Sequence, residues 1–131
     1  MANLKFVFKH GEKLDKLVDF ILSKPNIEAL LLNGELGAGK TTLTSQIARR
    51  LNINKPIISP TFNTILVYDG LVHIDAYKLK GDLFAYEDYF ENNLVVIEWA
   101  DNIQHNFRNY LKINVYFDKN QNHVFEIDED K

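Results

Sequence analysis

Hydrophobic positions fall into two alternating patterns along the chain. Leu4-Lys5-Phe6-Val7-Phe8 alternates, predicting a strand near a sheet edge, and His10-Gly11 breaks it. Over residues 12–23, Leu14, Leu17, Val18, Ile21 and Leu22 recur at i, i+3, i+4, i+7 and i+8, the apolar stripe of an amphipathic helix. Lys24-Pro25-Asn26 stops it. Ile27-Glu28-Ala29-Leu30-Leu31-Leu32 is nearly unbroken, as in a strand buried on both faces of a parallel sheet. Leu43, Ile47 and Leu51 then return to helical spacing over residues 42–51.

Residues 52–56 form a polar connector, followed by 57–62 and a strand over 64–68. Asp69-Gly70 is a strong two-residue hairpin turn, and residues 71–75 supply the partner strand. Lys80-Gly81-Asp82 reads as a loop in which Asp82 caps a short helix over 83–90, ended by Glu91-Asn92-Asn93. Leu94-Val95-Val96-Ile97-Glu98-Trp99 is a second buried run, this one ending in an acid. Residues 101–107 are polar and carry no assignment. Residues 111–117 and 123–127 alternate around a polar turn and predict a terminal hairpin, with a solvated acidic tail over 128–131.

Composition narrows the class. A chain of 131 residues, 46% hydrophobic and 25% charged, has the make-up of one globular domain. A net charge of −3 gives no reason to expect tight autonomous binding to nucleic acid. The absence of cysteine excludes disulfides and thiolate metal sites. No apolar run approaches the ~20 residues of a membrane span, and the first residues lack the apolar core of a signal peptide. The expectation is a soluble cytoplasmic protein without a membrane association.

The stretch Gly34-Glu35-Leu36-Gly37-Ala38-Gly39-Lys40-Thr41, followed by Thr42, fits G-x-x-x-x-G-K-[ST] between a buried strand and a helix. Glycines let the backbone adopt positive φ and approach an anion without a Cβ in the way. Successive amides then form an anion-binding concavity, to which the helix N-terminus adds partial positive charge. Glu35, Leu36, Gly37, Ala38, Gly39, Lys40, Thr41 and Thr42 are therefore the expected nucleotide-binding residues. Lys40 reaches the β- and γ-phosphates, and the Thr41 hydroxyl is placed for Mg²⁺. Lys40 is expected to face solvent when no phosphate engages it. The fold class that follows is α/β: a P-loop NTPase-like three-layer fold, a mixed central sheet with helices on both faces and a C-terminal antiparallel hairpin.

A nucleoside triphosphatase also needs an acid that directs Mg²⁺ and a group that orients water or an acceptor. Glu98 ends an apolar strand at the carboxyl edge of the sheet, where ligands of open α/β folds sit, and is the metal candidate; the plainer alternative is an ordinary strand-end carboxylate. Asp75 ends the 71–75 strand and could accept a proton from water, hold a metal-bound water, or simply cap a turn. Thr61, in Ser59-Pro60-Thr61-Phe62, lies in a loop of the kind that senses a γ-phosphate, or else bonds locally. His73 reads as a strand histidine; no second histidine stands at zinc spacing. Trp99 reads as core packing.

Together, Gly-Glu-Leu-Gly-Ala-Gly-Lys-Thr-Thr (34–42), Ser-Pro-Thr-Phe (59–62), His-Ile-Asp-Ala-Tyr-Lys (73–78) and Ile-Glu-Trp (97–99) resemble the TsaE (YjeE-type) ATPases of bacterial tRNA threonylcarbamoyladenosine synthesis. The P-loop is common to many families; the three later blocks in this order are specific. The resemblance implies an ATP- and Mg²⁺-dependent ATPase working with the TsaB–TsaD heterodimer on adenosine 37 of tRNA. Contact with tRNA would be indirect or weak, and the isolated chain a monomer. By position, the resemblance makes Thr41 and Glu98 metal ligands, Asp75 the catalytic or water-positioning acid, Lys40 a catalytic phosphate contact and Thr61 the switch residue. His10, at the first strand–helix turn, falls near the base. Departures are Lys78 where the family has Arg, Ile57-Ile58 before the Ser-Pro-Thr-Phe block, and a hairpin offering Lys119 and His123 instead of Arg.

The alternatives are a small P-loop kinase or a nucleotide-gated binding module with little turnover. A kinase clamps its phosphates with several arginines, and this chain has only Arg49, Arg50 and Arg108. A GTPase is disfavoured because the chain has no Asn-Lys-x-Asp stretch: Asn54-Lys55-Pro56-Ile57 lacks the acid. Arginine scarcity also predicts an ATPase that is weak alone and activated by a partner.

Overall fold

The computed structural model describes residues 4–35, 37–58 and 64–128; Leu36, Thr61 and the rest of the Ser59-Pro60-Thr61-Phe62 block lie outside them. Seven strands form one sheet: β1 (Leu4–Phe8), β2 (Ala29–Gly34), β3 (Ile65–Tyr68), β4 (Leu71–Asp75), β5 (Leu94–Glu98), β6 (Tyr110–Phe117) and β7 (His123–Asp128). Their order is β1-β7-β6-β2-β5-β4-β3. The centre, β6-β2-β5-β4, is parallel, while β3, β7 and β1 join antiparallel at the flanks. Both expected hairpins form, and β1 is an edge strand. The C-terminal hairpin inserts between β1 and the P-loop strand, an arrangement that no local pattern encodes.

Each central strand divides its side chains between two cores, as the period of two requires. Leu30, Leu32, Val96, Ile113 and Val115 face α1 (Asp15–Leu22) and α2 (Lys40–Arg50), meeting Leu17, Val18, Ile21, Leu43 and Ile47. Ala29, Leu31, Val72, Ile74, Val95 and Ile97 face the other way, under Leu83, Ala100 and Ile103. Each fully buried Leu or Ile is worth about 1.5–3 kcal/mol. The second face is covered by 3-10 helix, Phe84–Tyr89 and Ala100–Asn102, rather than by α-helix. The N-cap of the first of these is Leu83 and not the expected Asp82, which stands one residue earlier and accepts from the Phe84 N–H at 3.1 Å. Its sequence, FAYEDY, is rich in aromatics with little helix propensity, and it buries no residue fully, so one tight segment suffices.

Helix α1 starts at Asp15, three residues later than the expected start at residue 12 and one after the first residue of its apolar stripe. Gly11 has φ 82°, and the Lys9 N–H donates to the Glu12 carboxylate, which closes a turn there. Leu14, at the N-cap, has no capping side chain of its own; its N–H donates to Gln46 Oε1 of α2 at 2.8 Å. Arg50 of α2 reaches back to Asp19 and Asp15 of α1, so the two helices are joined at both levels. Among the described residues no helix is long and apolar enough to cross a membrane.

The tightest backbone approach is at Gly34, the last residue of β2, paired with Val115 of β6. Its φ is +153°, and a Cβ there would stand 2.0 Å from the Val115 carbonyl oxygen. Gly37 has nothing within 4 Å of the same position. Gly34→Ala is therefore expected to cost about 3–5 kcal/mol or prevent folding, because backbone must move. Gly37→Ala meets only its own backbone strain at φ +81° and should cost about 1–2 kcal/mol. Urea unfolding of the two variants checks this order, and equal midpoints would contradict it.

Candidate nucleotide-binding site

The parallel centre of the sheet aligns three strand ends. Leu32 of β2 is in register with Glu98 of β5, and Glu98 with Asp75 of β4. On β4 and β5, Leu71-His73-Asp75 and Leu94-Val96-Glu98 share the face that carries α2, so both strands run from apolar to acidic towards the P-loop. Asp75 and Glu98 are buried side by side. The structure brings together these two sequence-predicted acids and the Walker lysine.

The P-loop turns from β2 into α2 through Gly34, Gly37 at φ 81° and Gly39 at φ 127°. Gly39 is the N-cap of α2 and offers no side chain to its first amides. Those N–H groups face the loop, the requirement for an anion cradle. Thr44 folds its hydroxyl back onto the Lys40 carbonyl at 3.0 Å, further along the same helix. Thr41 and Thr42 occupy the first turn, as the motif requires.

Lys40 does not face solvent. It is 5% exposed, and its Nζ donates to the carbonyls of Gly34 at 2.6 Å and Glu35 at 2.9 Å. The same ammonium sits 5.2 Å from the centre of the Trp99 ring. The loop's own carbonyls thus hold the lysine where phosphate oxygens would otherwise compete for it. Burial pushes its pKa below the usual lysine value, opposed by the nearby carboxylates of Glu98, Asp75 and Glu35.

Trp99 is more than core filling. It stands at φ 58°, a left-handed conformation that costs a bulky residue about 1–3 kcal/mol. That turn aims the indole at Lys40 and edge-on at Tyr77, ring centres 5.0 Å apart. The turn is tied down from outside: Asn33 accepts from the Asp101 N–H at 2.9 Å, and Asn102 donates to the carbonyls of Ala76 and Tyr77. The unassigned polar stretch after Trp99 therefore locks the β4 and β5 ends together. Asp75 caps its own turn by accepting from the Tyr77 N–H at 2.9 Å, so the structural and chemical readings of this residue coexist.

His10 lies beside the P-loop, stacked on His123 with ring centres 5.7 Å apart. A cavity of about 260 Å³ opens there, lined by His10, Gly37, Gly39, Thr42, His123 and Phe125. His123 donates from Nδ1 to the Ala38 carbonyl at 2.7 Å, and Phe125 Cζ stands 3.0 Å from where a Gly39 Cβ would be. In the sequence His123 stands out only as a residue of the hairpin and Phe125 not at all, since only the insertion of the hairpin brings them to the loop. Lys78 is exposed on its turn and Lys119 on the hairpin tip. A larger cavity of about 800 Å³ lies at the opposite, amino end of β2 and β5, beside Glu28, Leu94 and Phe107, away from all of this chemistry.

The donor set fits Mg²⁺. Glu98, Asp75 and the Thr41 hydroxyl offer hard oxygen atoms, and Mg²⁺ is commonly held by one or two carboxylates together with substrate phosphates. Among the described residues there is no group of three or more acids and histidines that would hold a cation without such help. None of the three arginines reaches the loop: Arg49 and Arg50 are exposed at the far end of α2, and Arg108 precedes β6 at the amino end of the sheet.

The buried lysine has a consequence for stability. The unfolded chain holds the Lys40 proton more tightly than the folded chain, so between the lowered folded pKa and 10.5 the unfolded state carries more protons. Stability from this group then rises with pH across that window. The difference in unfolding free energy between the parent and Lys40→Met is expected to shift in the parent's favour as pH rises towards 10.5. Urea titrations at matched alkaline pH values measure it, and a difference that stays constant with pH would refute the burial cost.

Comparison with known proteins adds a family to this geometry. The family model described as "Threonylcarbamoyl adenosine biosynthesis protein TsaE" matches residues 5–125. A Rickettsia conorii protein named tRNA threonylcarbamoyladenosine biosynthesis protein TsaE is 43% identical over 103 residues, 72% of this chain and 58% of its own length. A Bacillus subtilis protein of the same name is 39% identical over 89 residues, 63% of this chain and 56% of its own. The chain thus spans less than two thirds of the length of these relatives. The crystal structure of Bacillus subtilis YdiB shares the fold, with a TM-score of 0.67 at 22% identity, covering 96% of this chain and 84% of that one. On the strength of a family match over most of its length, joined to a P-loop and two acids at one sheet edge, the chain belongs to the TsaE family.

Proposed function

We propose that this chain is an Mg²⁺-dependent ATPase, weak alone, that serves tRNA threonylcarbamoyladenosine synthesis with a TsaB–TsaD pair. The observation that carries this is the in-register placement of Asp75 and Glu98 at the strand ends beside a P-loop lysine. The names of the relatives carry the pathway.

In this reading, Lys40 leaves the carbonyls of Gly34 and Glu35 for the β- and γ-phosphates. The amides of residues 35–42 cradle those phosphates, with Leu36 among them. Glu98 and the Thr41 hydroxyl hold Mg²⁺, which when bound neutralises charge on the phosphate oxygens. Asp75 orients the attacking water, Thr61 acts as the switch residue, and His10 with His123 borders the base. Trp99 backs the lysine. Transition-state charge on the γ-phosphoryl group is met in many such enzymes by an arginine worth about 10³–10⁵-fold in rate, and the described residues bring none to the loop. A partner that supplies a basic group, or orders the loops after β4 and before β3, completes the site. The protein acts as a soluble cytoplasmic monomer until it meets that partner, and touches tRNA at most through it.

Three experiments test the reading. Lys40→Ala should abolish calorimetric ATP affinity in the presence of Mg²⁺, and unchanged affinity would remove the P-loop assignment. Glu98→Ala should weaken metal-dependent nucleotide binding, whereas Asp75→Ala should spare binding and lower kcat, as expected for a contact made mainly in the transition state. The reverse pattern would exchange the two roles. Phosphate release should rise as TsaB–TsaD is titrated in; a rate already fast in isolation, or flat across the titration, would defeat partner activation. Tight binding with no turnover under any condition would favour a nucleotide-gated module.

A further inference from the structure

One buried polar group has no part in the mechanism above. His73 lies in the middle of β4 with none of its surface exposed, two residues before Asp75 on the same face. Its Nε2 is 2.7 Å from Oε2 of Glu98, itself 5% exposed. Its other ring nitrogen, Nδ1, is buried without a hydrogen-bond partner.

Hydrogen-bond accounting decides which nitrogen carries the hydrogen. An ionised carboxylate only accepts, so Nε2 must donate to Glu98. A hydrogen on Nδ1 as well would leave an orphaned N–H in a dry interior, and buried N–H groups without partners are rarer than buried acceptors without them. His73 is therefore the Nε2–H tautomer with a bare lone pair on Nδ1. Its donor engages one carboxylate oxygen of Glu98.

A glutamate carboxylate otherwise turns freely, because its terminal torsion is broad. Mg²⁺ demands near-ideal octahedral geometry and tolerates a swinging ligand poorly. We propose that His73 is a positioning residue that pins Oε2 of Glu98 against the strand and thereby presents Oε1 alone to the divalent cation of the P-loop. This inference rests on the reading of Glu98 as the metal-directing acid. The bond also gives His73 a reason to be histidine on a face otherwise built of Leu71, Val96 and Leu94. A leucine would fill that space and remove the unpaired Nδ1, but it would leave Oε2 of Glu98 without its donor.

The test separates metal affinity from nucleotide affinity. Binding of a non-hydrolysable ATP analogue is followed through Trp99, the sole tryptophan, first in EDTA and then across a Mg²⁺ titration. His73→Leu should leave the EDTA affinity within about twofold of the parent and raise the half-saturating Mg²⁺ about tenfold or more, the usual scale for losing such an outer contact. His73→Gln, whose amide nitrogen falls close to the position of Nε2, should restore most of the parent's Mg²⁺ requirement. An unchanged requirement in His73→Leu would overturn the proposal. So would equal impairment in both variants, or a parallel loss of EDTA affinity, since each marks a merely structural role.

Glu98→Gln distinguishes the two layers of the argument. A shifted Mg²⁺ requirement there, with none in His73→Leu, would refute the positioning role alone. No shift in Glu98→Gln would remove both it and the metal assignment. Long-range ¹H–¹⁵N correlation of the ring nitrogens in the metal-free parent needs no folded variant of His73 beyond one for assignment. It should show the neutral Nε2–H pattern, and an Nδ1–H pattern would overturn the proposal.

Discussion

The parallel register of β2, β5 and β4 is the constraint on which the site depends. It sets Leu32, Glu98 and Asp75 level with one another, and the P-loop leaves β2 two residues further on. A slip of one residue in β5 would turn Glu98 into the opposite core and bring Ile97 to the lysine. The register is held by strands buried on both faces, so each slip exposes one apolar set and misplaces the other. Precision at the acids is thus a by-product of the two hydrophobic cores on either side of the sheet.

Buried polar and charged groups are concentrated where the cores end. Lys40, Asp75, Glu98 and His73 are all buried, and groups of this kind are costly unless partnered. Their partners are specific: loop carbonyls for the lysine, a backbone N–H for Asp75 and an imidazole for Glu98. The lysine's hold on Gly34 and Glu35 closes the loop onto itself. In the proposed function phosphate oxygens take the place of those carbonyls, and a lysine already desolvated and nearly in place would lessen the reorganisation that binding demands. The strained Trp99 turn belongs to the same arrangement, fixed by side chains from β2 and from the turn itself.

Membership of the TsaE family gives the site a context, and the C-terminal hairpin shows how this chain uses it. Instead of an arginine, the hairpin contributes an imidazole that donates into the P-loop and a phenylalanine that sits against Gly39. These contacts brace the loop from the side opposite Trp99. They also line the cavity that begins at His10, so the edge of the sheet and the P-loop are parts of one structure. Among the described residues no arginine reaches the loop, which is the observation behind the proposed need for a partner.

Much of this was legible in the sequence, for definite reasons. The P-loop could be read because its glycines, lysine and threonine act through backbone geometry that is local in the chain. The strands could be read because a sheet buried on both faces demands unbroken apolar runs, and the hairpins because Asp69-Gly70 and the polar turn before His123 leave few options. Glu98 and Asp75 were legible as acids ending such runs. Tertiary structure alone decided the rest. It inserted the terminal hairpin beside β2, turning His123 and Phe125 into loop contacts. It started α1 at Asp15, where the N–H of the N-cap Leu14 is held by Gln46 of another helix. It buried Lys40, since the carbonyls that hold it converge only when the loop is folded over the sheet edge. And it joined His73 to Glu98 across two strands, a pairing invisible along the chain because it depends on register, whereas each residue's own pattern speaks only of its strand.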